Sequence, residues 1–452
     1  MKIVFLIDQT SCYRYFSTLV DYCIHKDCQI ELWHCYFSNK HIKVKKSPFF
    51  NTANNSILFK KILTEKDLFK SISDSQSVDY FVSINPVTFR LSELLREKIS
   101  GKWCIVQHGI DSFGTVWHWH KFGYDGALLQ DYERLFFPYT TSFFNEGKKW
   151  IKKFSDIKGK NNYSFFDENT SVYPIGCCMY NRKYKDIDDN YIRSKYKISS
   201  QKKLLIYLPF PFYPEREKYT KNGSYAWQAA FSGMFLNHNN VNKNWMLMSY
   251  MRFFVKKVVY FSKVIFDREA RAWLLKRWSE PKVIDTIKTF CEKNNLILVV
   301  KPRGKFPYTK KVYKSADLII NDNDLQHNPS KLQELFPIAD LVVGYQSTAV
   351  LESILNNIPY LNIECPDSLL NHEESRLYFH RCHSGSMYNF KGVVTNMKIP
   401  HLITELHKKN IEEFNINKAQ RDLYMEKYVG QESSNPAENF FKVINQSFRD
   451  SL

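Results

Sequence analysis

One segment of the chain, residues 340–363, has the pattern of a strand, a tight turn, a helix and a second strand. Residues 341–343 form a short apolar run, which is typical of a strand buried in a parallel sheet. Gly344 interrupts this run, apolar residues then recur at helical spacing, and Pro359 comes just before the next apolar run. The succession predicts a strand–helix–strand unit and therefore a parallel α/β sheet.

The turn after Gly344 carries the small polar side chains of Gln346, Ser347 and Thr348. Open α/β sheets bind ligands at the carboxyl ends of their strands, and N–H groups at the positive end of a helix favour a phosphate. Glu352 lies one turn further, where a carboxylate can accept both hydroxyls of a ribose. The alternative is an ordinary strand–helix unit in which Ser or Thr caps the helix and Glu352 stabilises its N-terminus.

Alternating strand and helix patterns run through the chain twice. The apolar runs of the first series lie at residues 3–7, 29–36, 79–85 and 103–106, and those of the second at 203–209, 296–300 and 318–320. Such alternation is typical of parallel sheets covered by helices on both faces. We therefore expect an α/β protein with two Rossmann-like domains, residues 1–185 and 186–400. A polar helical segment, residues 401–452, follows and can cross back to the first domain.

An apolar and aromatic stretch interrupts the second series at about residues 215–278, and we interpret it as a helical insertion. Its most apolar part also contains four basic side chains, which are Arg252, Lys256, Lys257 and Lys263. One interpretation is a helical hairpin packed on its own domain. The other is a segment that lies in the headgroup region of an anionic membrane.

The net charge of the 452-residue chain is +18, which indicates an anionic partner such as a nucleotide, an anionic lipid or a nucleic acid. The lysines are spread along the sequence without a nucleic-acid motif, so we expect no nucleic acid. The ten cysteines show neither a disulfide framework nor zinc spacing, and the N-terminal apolar run is too short for a signal peptide. We expect a cytoplasmic protein, peripheral on the inner face of the cell membrane.

His108 follows the predicted strand at 103–106 and precedes a glycine. Histidine titrates near neutrality, so a histidine at a strand end suits proton abstraction. Asp111 is close behind it and can either act as the base itself or orient the imidazole. The alternative is a structural histidine that caps a turn.

Two cations, Lys301 and Arg303, come directly after the predicted strand at 296–300. Fixed positive charges at a strand end suit a phosphate or diphosphate leaving group, although a solvated basic loop is the alternative. Because cations and helix N-termini can carry the leaving charge, we expect neither a metal nor a cofactor beyond the donor substrate.

Five short motifs between about residues 100 and 365 carry a resemblance to known proteins. They are Gln-His-Gly at 107–109, Pro-Ile-Gly at 174–176, the apolar run at 204–209, Val-Lys-Pro at 300–302, and Gly-Tyr-Gln-Ser-Thr at 344–348 with Glu352 and Pro359. Their order resembles bacterial surface-polysaccharide transferases of the GT-B fold. The most similar groups are the CDP-glycerol glycerophosphotransferases of teichoic acid synthesis and the capsule transferases that use CMP-Kdo.

The resemblance implies two Rossmann-like domains facing a cleft, with a catalytic His-Gly turn in the first. It also implies that the Lys-Pro and Ser-Thr turns of the second domain hold the phosphates of the donor nucleotide. The chain departs from the family where a second His-Pro is expected, because Arg303 and Gly304 stand there.

The motifs and the resemblance together predict a metal-independent glycosyltransferase. It would move a sugar or sugar-like group from a CMP- or CDP-linked donor to a lipid-linked or oligosaccharide acceptor of a bacterial capsule or lipopolysaccharide. A non-hydrolysing sugar-nucleotide 2-epimerase shares the architecture but needs several carboxylates in its cleft. A noncatalytic basic nucleic-acid-binding protein is the other alternative, and its binding would depend steeply on salt.

Overall fold

A computed structural model describes about half of the residues of the chain. The described residues are 1–7, 12–35, 57–75, 77–83, 101–106, 134–137, 171–176, 178, 188–209, 265–266, 280–302, 310–321, 330–345, 347–364, 382, 384–429 and 435–449. The chain divides into two compact units. The first comprises Met1–Arg182, Gln326–Asn328 and Met425–Leu452, and the second comprises Lys183–Leu325 and Pro329–Tyr424.

The described strands are numbered along the chain. They are β1 (Lys2–Ile7), β2 (Gln29–Cys35), β3 (Ile57–Ile62), β4 (Tyr80–Ser83), β5 (Lys102–Val106), β6 (Arg134–Phe137), β7 (Ser171–Pro174), β8 (Lys203–Leu208), β9 (Leu296–Val300), β10 (Leu318–Ile319), β11 (Leu341–Gly344), β12 (Tyr360–Glu364) and β13 (Val394–Lys398).

The described α-helices lie between and after these strands. They are α1 (Cys12–His25), α2 (Glu65–Asp74), α3 (Asp189–Tyr196), α4 (Glu280–Lys293), α5 (Lys310–Ser315), α6 (Lys331–Leu335), α7 (Ala349–Leu355), α8 (Ile399–Glu405), α9 (Lys418–Tyr428) and α10 (Pro436–Arg449). Short 3-10 helices cover Phe336–Ile338, Leu406–Lys408 and Ile411–Phe414.

The first unit is built on a parallel sheet, in which the described residues contribute seven strands in the order β3-β2-β1-β4-β5-β6-β7. Helix α1 packs on this sheet, with the rings of Phe5 and Phe16 5.0 Å apart. The C-terminal helix α10 belongs to the same unit. The ring of Phe441 lies 5.8 Å from that of Tyr22, and the Tyr80 hydroxyl donates a 2.8 Å hydrogen bond to the carbonyl oxygen of Ile444.

The second unit is built on another parallel sheet, with six described strands in the order β10-β9-β8-β11-β12-β13. Counted along the chain within this unit, the order is third, second, first, fourth, fifth, sixth. This is the doubly wound order of a Rossmann fold, and the first six strands of the other sheet have it too. In the second unit the strand order reverses between β8 and β11, which are hydrogen-bonded neighbours.

One face of the second sheet carries the main apolar core of its unit. Its strands contribute Leu205, Tyr207, Leu298, Val300, Leu341, Val343, Leu361, Ile363 and Met397 to this core. Helix α4 adds Val283, Ile287 and Phe290, and α8 adds Leu402. Because side chains alternate between the faces of a strand, Val342, Gly344, Tyr360, Asn362 and Glu364 lie on the opposite face.

The predicted α/β class with two Rossmann-like domains is confirmed by these two sheets. The predicted insertion at 215–278 lies outside the described residues, apart from residues 265 and 266. None of the helices that the structure describes is both long enough and apolar enough to span a bilayer.

Candidate functional site

The reversal of strand order between β8 and β11 marks the candidate site of the second unit. Ligands of open α/β sheets bind outside the carboxyl ends of the strands at this point. The last residues of the two strands, Leu208 and Gly344, are paired in register. Strand β9 ends beside β8, where Tyr207 is paired with Val300, so Lys301 follows at the same edge.

Gly344 has no room for a side chain. A Cβ atom at this position would lie 2.6 Å from the hydroxyl oxygen of Tyr360 and 3.1 Å from the Cβ atom of Leu208. The Tyr360 hydroxyl is held there because it donates a 2.7 Å hydrogen bond to the carbonyl oxygen of Tyr345. The hydroxyls of Tyr345 and Tyr207 lie 3.4 Å apart. The buried Tyr360 side chain therefore fixes the backbone at the start of the turn, and the missing side chain of Gly344 leaves room for its hydroxyl.

Ser347 and Thr348 lie half-buried in the turn between β11 and α7. The Ser347 hydroxyl accepts a 3.3 Å hydrogen bond from the N–H group of Ala349, and its carbonyl oxygen accepts one from Val350. The N–H group of Leu351 donates to the carbonyl oxygen of Thr348, and the Thr348 side chain makes no capping bond to α7. The first N–H groups of α7 are thus bonded within the chain, so a ligand would meet the turn and the Thr348 side chain rather than the end of the helix.

Glu352 is buried in the first turn of α7, with 3% of its surface exposed. The Gln333 side chain of α6 donates a 3.3 Å hydrogen bond to its Oε1 atom. The Gln333 amide is itself oriented, because its oxygen accepts a 3.0 Å hydrogen bond from the N–H group of Ser330. This bond belongs to a capping box that starts α6, in which the Ser330 hydroxyl also accepts from the N–H group of Gln333.

Lys301 is 5% exposed, which is unusual for a lysine. Its N–H group donates a 2.9 Å hydrogen bond to the carbonyl oxygen of Tyr207, so β9 stays joined to β8 up to this residue. A buried ammonium group at the carboxyl edge of a sheet suits an anionic ligand.

The structure brings together only part of the predicted site. Lys301, Gly344, Ser347, Thr348 and Glu352 all lie in the second unit, at or next to the carboxyl edge of its sheet. The remaining predicted site residues lie outside the described residues, and their roles stay predictions; they are His108, Asp111, Arg303 and Gln346.

Sequence reasoning missed two residues that shape this site. The first is Gln333, whose side chain donates a hydrogen bond to the Glu352 carboxylate. The Ser-x-x-Gln spacing at 330–333 is the sequence signal of the capping box that holds Gln333. The second is Tyr360 of the neighbouring strand β12, whose hydroxyl donates a hydrogen bond to the carbonyl oxygen of Tyr345, next to Gly344. No local sequence pattern indicates this contact. Together the described residues offer a cation, a hydroxyl-bearing turn and an oriented carboxylate, which are the groups that a nucleotide needs for its phosphates and its ribose.

The two sheets define the fold class of the protein. Two Rossmann-like domains in one chain, each with a parallel sheet in the doubly wound order, form a GT-B-type fold.

No protein-family model matches the chain, and no curated protein matches it. The chain is similar in structure to the wall teichoic acid polymerase TagF, with a TM-score of 0.52 and 12% identity over 100% of this chain and 90% of that one. It is also similar to UGT89C1 of Arabidopsis thaliana complexed with UDP, with a TM-score of 0.52 and 8% identity over 98% of both chains. A TagF variant soaked with CDPG matches with a TM-score of 0.51 and 11% identity, over 100% of this chain and 89% of that one. At such identities the similarity shows the fold.

Proposed function

We propose that the protein is a GT-B glycosyltransferase that takes its sugar or sugar-like group from a nucleotide-activated donor. The observation that carries this proposal is the grouping of Lys301, the Ser347–Thr348 turn and Glu352 at the point where the second sheet reverses its strand order. A CMP- or CDP-linked donor is favoured by the motifs of the chain.

The donor nucleotide lies against the second domain in this proposal. Its phosphates contact the two cations Lys301 and Arg303. They also contact the turn that is formed by Gly344, Gln346, Ser347 and Thr348. The carboxylate of Glu352 accepts hydrogen bonds from the ribose hydroxyls. Lys301 and Arg303 stabilise the charge that develops on the departing phosphate, so transfer proceeds without a metal. Gln333 holds the Glu352 carboxylate in one orientation, which makes it a positioning residue.

The acceptor enters from the first domain in this proposal. It is a growing bacterial surface glycan, lipid-linked or oligosaccharide, of a capsule or a lipopolysaccharide. His108 removes the proton of the acceptor hydroxyl as that oxygen attacks the anomeric carbon, and Asp111 orients the imidazole or takes the proton itself. The basic and aromatic insertion at 215–278 keeps the protein at the inner face of the cytoplasmic membrane.

The structural comparisons support this proposal at the level of the fold. TagF is by its description a polymerase of wall teichoic acid, and UGT89C1 was solved in complex with UDP. This chain covers 90% of the TagF chain and 98% of the UGT89C1 chain.

The experiment that tests the proposal is a transfer assay with a panel of nucleotide-linked donors and a short oligosaccharide acceptor. The wild-type protein should release free nucleotide and lengthen the acceptor. His108→Ala should reduce the rate by about 10² or more, as the loss of a general base commonly does. An epimerase would instead change the donor sugar without releasing nucleotide, and a protein that does neither with any donor contradicts the proposal.

A further inference from the structure

Strands β12 and β13 of the second unit carry a connected group of polar side chains inside the sheet. The Asn362 amide nitrogen donates a 2.7 Å hydrogen bond to the side-chain oxygen of Asn396. The Asn396 amide nitrogen in turn donates to a carboxylate oxygen of Glu364. Asn362 and Asn396 are paired in register, so the two strands hold the three side chains on one face of the sheet.

The hydrogen bonds of this group all run from donor to acceptor towards Glu364. Each amide donates towards the next member, and the series ends on the carboxylate of Glu364, which is the last residue of β12. Glu364 is buried, and Lys398, its partner in register, is exposed. The sheet therefore presents a fixed carboxylate at its carboxyl edge.

A purely structural role does not explain why this polar group is buried in the sheet. The side-chain oxygen of Asn362 is fully buried and accepts no hydrogen bond from any residue that the structure describes. A buried acceptor without a donor costs free energy that an apolar side chain at the same position would avoid. Polar groups kept inside a sheet at such a cost are typical of functional sites.

The position of this group connects it to the candidate nucleotide site. Asn362 is paired in register with Gly344, the residue that begins the Ser347–Thr348 turn. Glu364 lies two residues further along β12, on the same face and about 7 Å closer to the carboxyl edge. A donor whose phosphates lie at the Gly344 turn therefore has Glu364 beside it, one strand away.

We propose that Glu364 binds the transferred group of the donor, that Asn396 and Asn362 position its carboxylate, and that this group is a neutral polyol or sugar rather than an acidic one. The inference rests on the proposed function. An ionised carboxylate only accepts hydrogen bonds, so it pairs with hydroxyl groups and repels a second carboxylate. Glu364 therefore selects among donors that share one nucleotide.

The test compares each conjugate with its own free nucleotide, because the two cytidine conjugates differ in their number of phosphates as well as in the transferred group. The probes are UDP with UDP-glucose and UDP-glucuronate, and CDP with CDP-glycerol, together with CMP and the acidic conjugate CMP-Kdo. Dissociation constants are measured by calorimetry for the wild type, for Glu364→Gln, and for Glu292→Gln as a matched control at an exposed position of α4. Thermal unfolding of each protein confirms that it is folded.

When each affinity is divided by that of its own free nucleotide, the wild type should favour the neutral conjugate over the acidic conjugate of the same base at least tenfold. Glu364→Gln retains the acceptor for Asn396 but replaces the other carboxylate oxygen by a donor. It should weaken the neutral conjugate about tenfold, the effect of losing one hydrogen bond to a charged group. Binding of the free nucleotide should change less than twofold, and Glu292→Gln should behave as wild type.

Two outcomes overturn the inference. One is an unchanged ratio of conjugate affinity to free-nucleotide affinity in Glu364→Gln, whether both affinities stay the same or both fall equally. The other is a wild-type preference for the acidic conjugate. If Glu364→Gln does not fold, Glu364→Asp withdraws the carboxylate by one methylene and should still lower that ratio. A wild type that binds no nucleotide at all contradicts the proposed function, whereas normal nucleotide binding without an effect of Glu364 contradicts this inference alone.

Discussion

The hydroxyl of Tyr360 donates a 2.7 Å hydrogen bond to the carbonyl oxygen of Tyr345 in the second unit. Tyr360 begins β12, whereas Tyr345 is the first residue after β11, so the bond joins the start of one strand to the end of its neighbour. It passes over Gly344, whose missing side chain leaves room for the phenol. The buried Tyr360 side chain therefore fixes the start of the turn that would hold the donor phosphates.

This contact predicts a strong energetic coupling between Gly344 and Tyr360. Gly344→Ala should cost about 1–3 kcal/mol of unfolding free energy, because the new methyl group meets the Tyr360 hydroxyl. Tyr360→Phe should cost about 1–1.5 kcal/mol through the lost hydrogen bond. The double variant should be more stable than the sum of the two losses, since phenylalanine makes room for the methyl group. Denaturant unfolding of the four proteins measures the coupling, and strictly additive losses would show that the two residues do not compete for this space.

Glu352 should determine how the protein recognises the ribose. Glu352→Gln should weaken binding of the preferred nucleotide by about 1.5–3 kcal/mol, the contribution of a hydrogen bond to a charged group. The matched ligand is the 2′-deoxynucleotide, which should bind the wild type more weakly and should lose little further affinity in the variant. Calorimetry with both ligands checks this prediction. Equal losses for the two ligands would mean that Glu352 does not contact the 2′-hydroxyl.

Lys301 should bind a phosphate of the donor. Lys301→Met keeps the length and apolar character of the buried stem but removes the charge. We expect nucleotide affinity to fall by about 1.5–3 kcal/mol, and the affinity of the nucleoside without phosphate to stay unchanged. Arg303→Ala should have an effect of the same size. Lys314→Met, at an exposed lysine of the same unit, is the control. Full nucleotide affinity in Lys301→Met would remove this residue from the site.

His34 should make the first unit sensitive to acid. Burial lowers the pKa of this imidazole from 6.5 to about 4, because the charged form is poorly solvated inside β2. The unfolded chain therefore binds this proton more tightly than the folded chain does. The free energy of unfolding that depends on a neutral His34 is fully present above pH 6.5 and is lost as the pH falls towards 4. Between pH 7.5 and 5 the wild type should lose about 2 kcal/mol more than His34→Gln.

Urea unfolding at both pH values checks the prediction for His34. His25→Gln replaces an exposed histidine of α1 and is the matched control, which should keep the pH dependence of the wild type. An identical loss of stability in the wild type and in His34→Gln would show that this imidazole is not the group that titrates.

Several strands that have a neighbour on both sides could be predicted from the sequence. The apolar runs at 3–7, 296–300 and 341–343 became β1, β9 and β11 with bounds that differ by at most one residue. A strand buried on both faces must be apolar throughout, so its signal is local and strong.

Two strands at the sheet edges, β3 and β13, gave no such signal. Strand β3 carries Lys60 and Lys61 and exposes Leu58 and Phe59 at one edge of the first sheet. Strand β13 reads Val-Thr-Asn-Met-Lys at an edge of the second sheet. Only the pairing with a neighbouring strand makes these segments extended, and a pattern of apolar residues does not encode a neighbour.

In the candidate site, too, positions marked by a local pattern could be predicted, whereas contacts between distant residues could not. The positions of Lys301 after a strand, and of Ser347 and Glu352 at the start of a helix, could be predicted because such boundaries leave a local signal in the sequence. The contact of Gln333 with Glu352 and that of Asn362 with Asn396 join residues 19 and 34 positions apart. Such contacts follow from the strand order of the sheet and from the side-chain hydrogen bond between α6 and α7, neither of which a local pattern contains.

Hydrogen exchange with and without nucleotide shows whether the carboxyl edge of the second sheet binds a nucleotide, because it reports which backbone segments the ligand protects. The panel is CMP, CDP, UDP and GDP, each at about 100 times its dissociation constant, where binding stabilises the folded state by about 2.7 kcal/mol. At least one nucleotide should slow exchange in peptides that cover residues 301–302 and 344–352, and Glu352→Gln should reduce this protection. No protection from any nucleotide, or protection that spares both segments, would contradict a nucleotide site at the carboxyl edge of the second sheet.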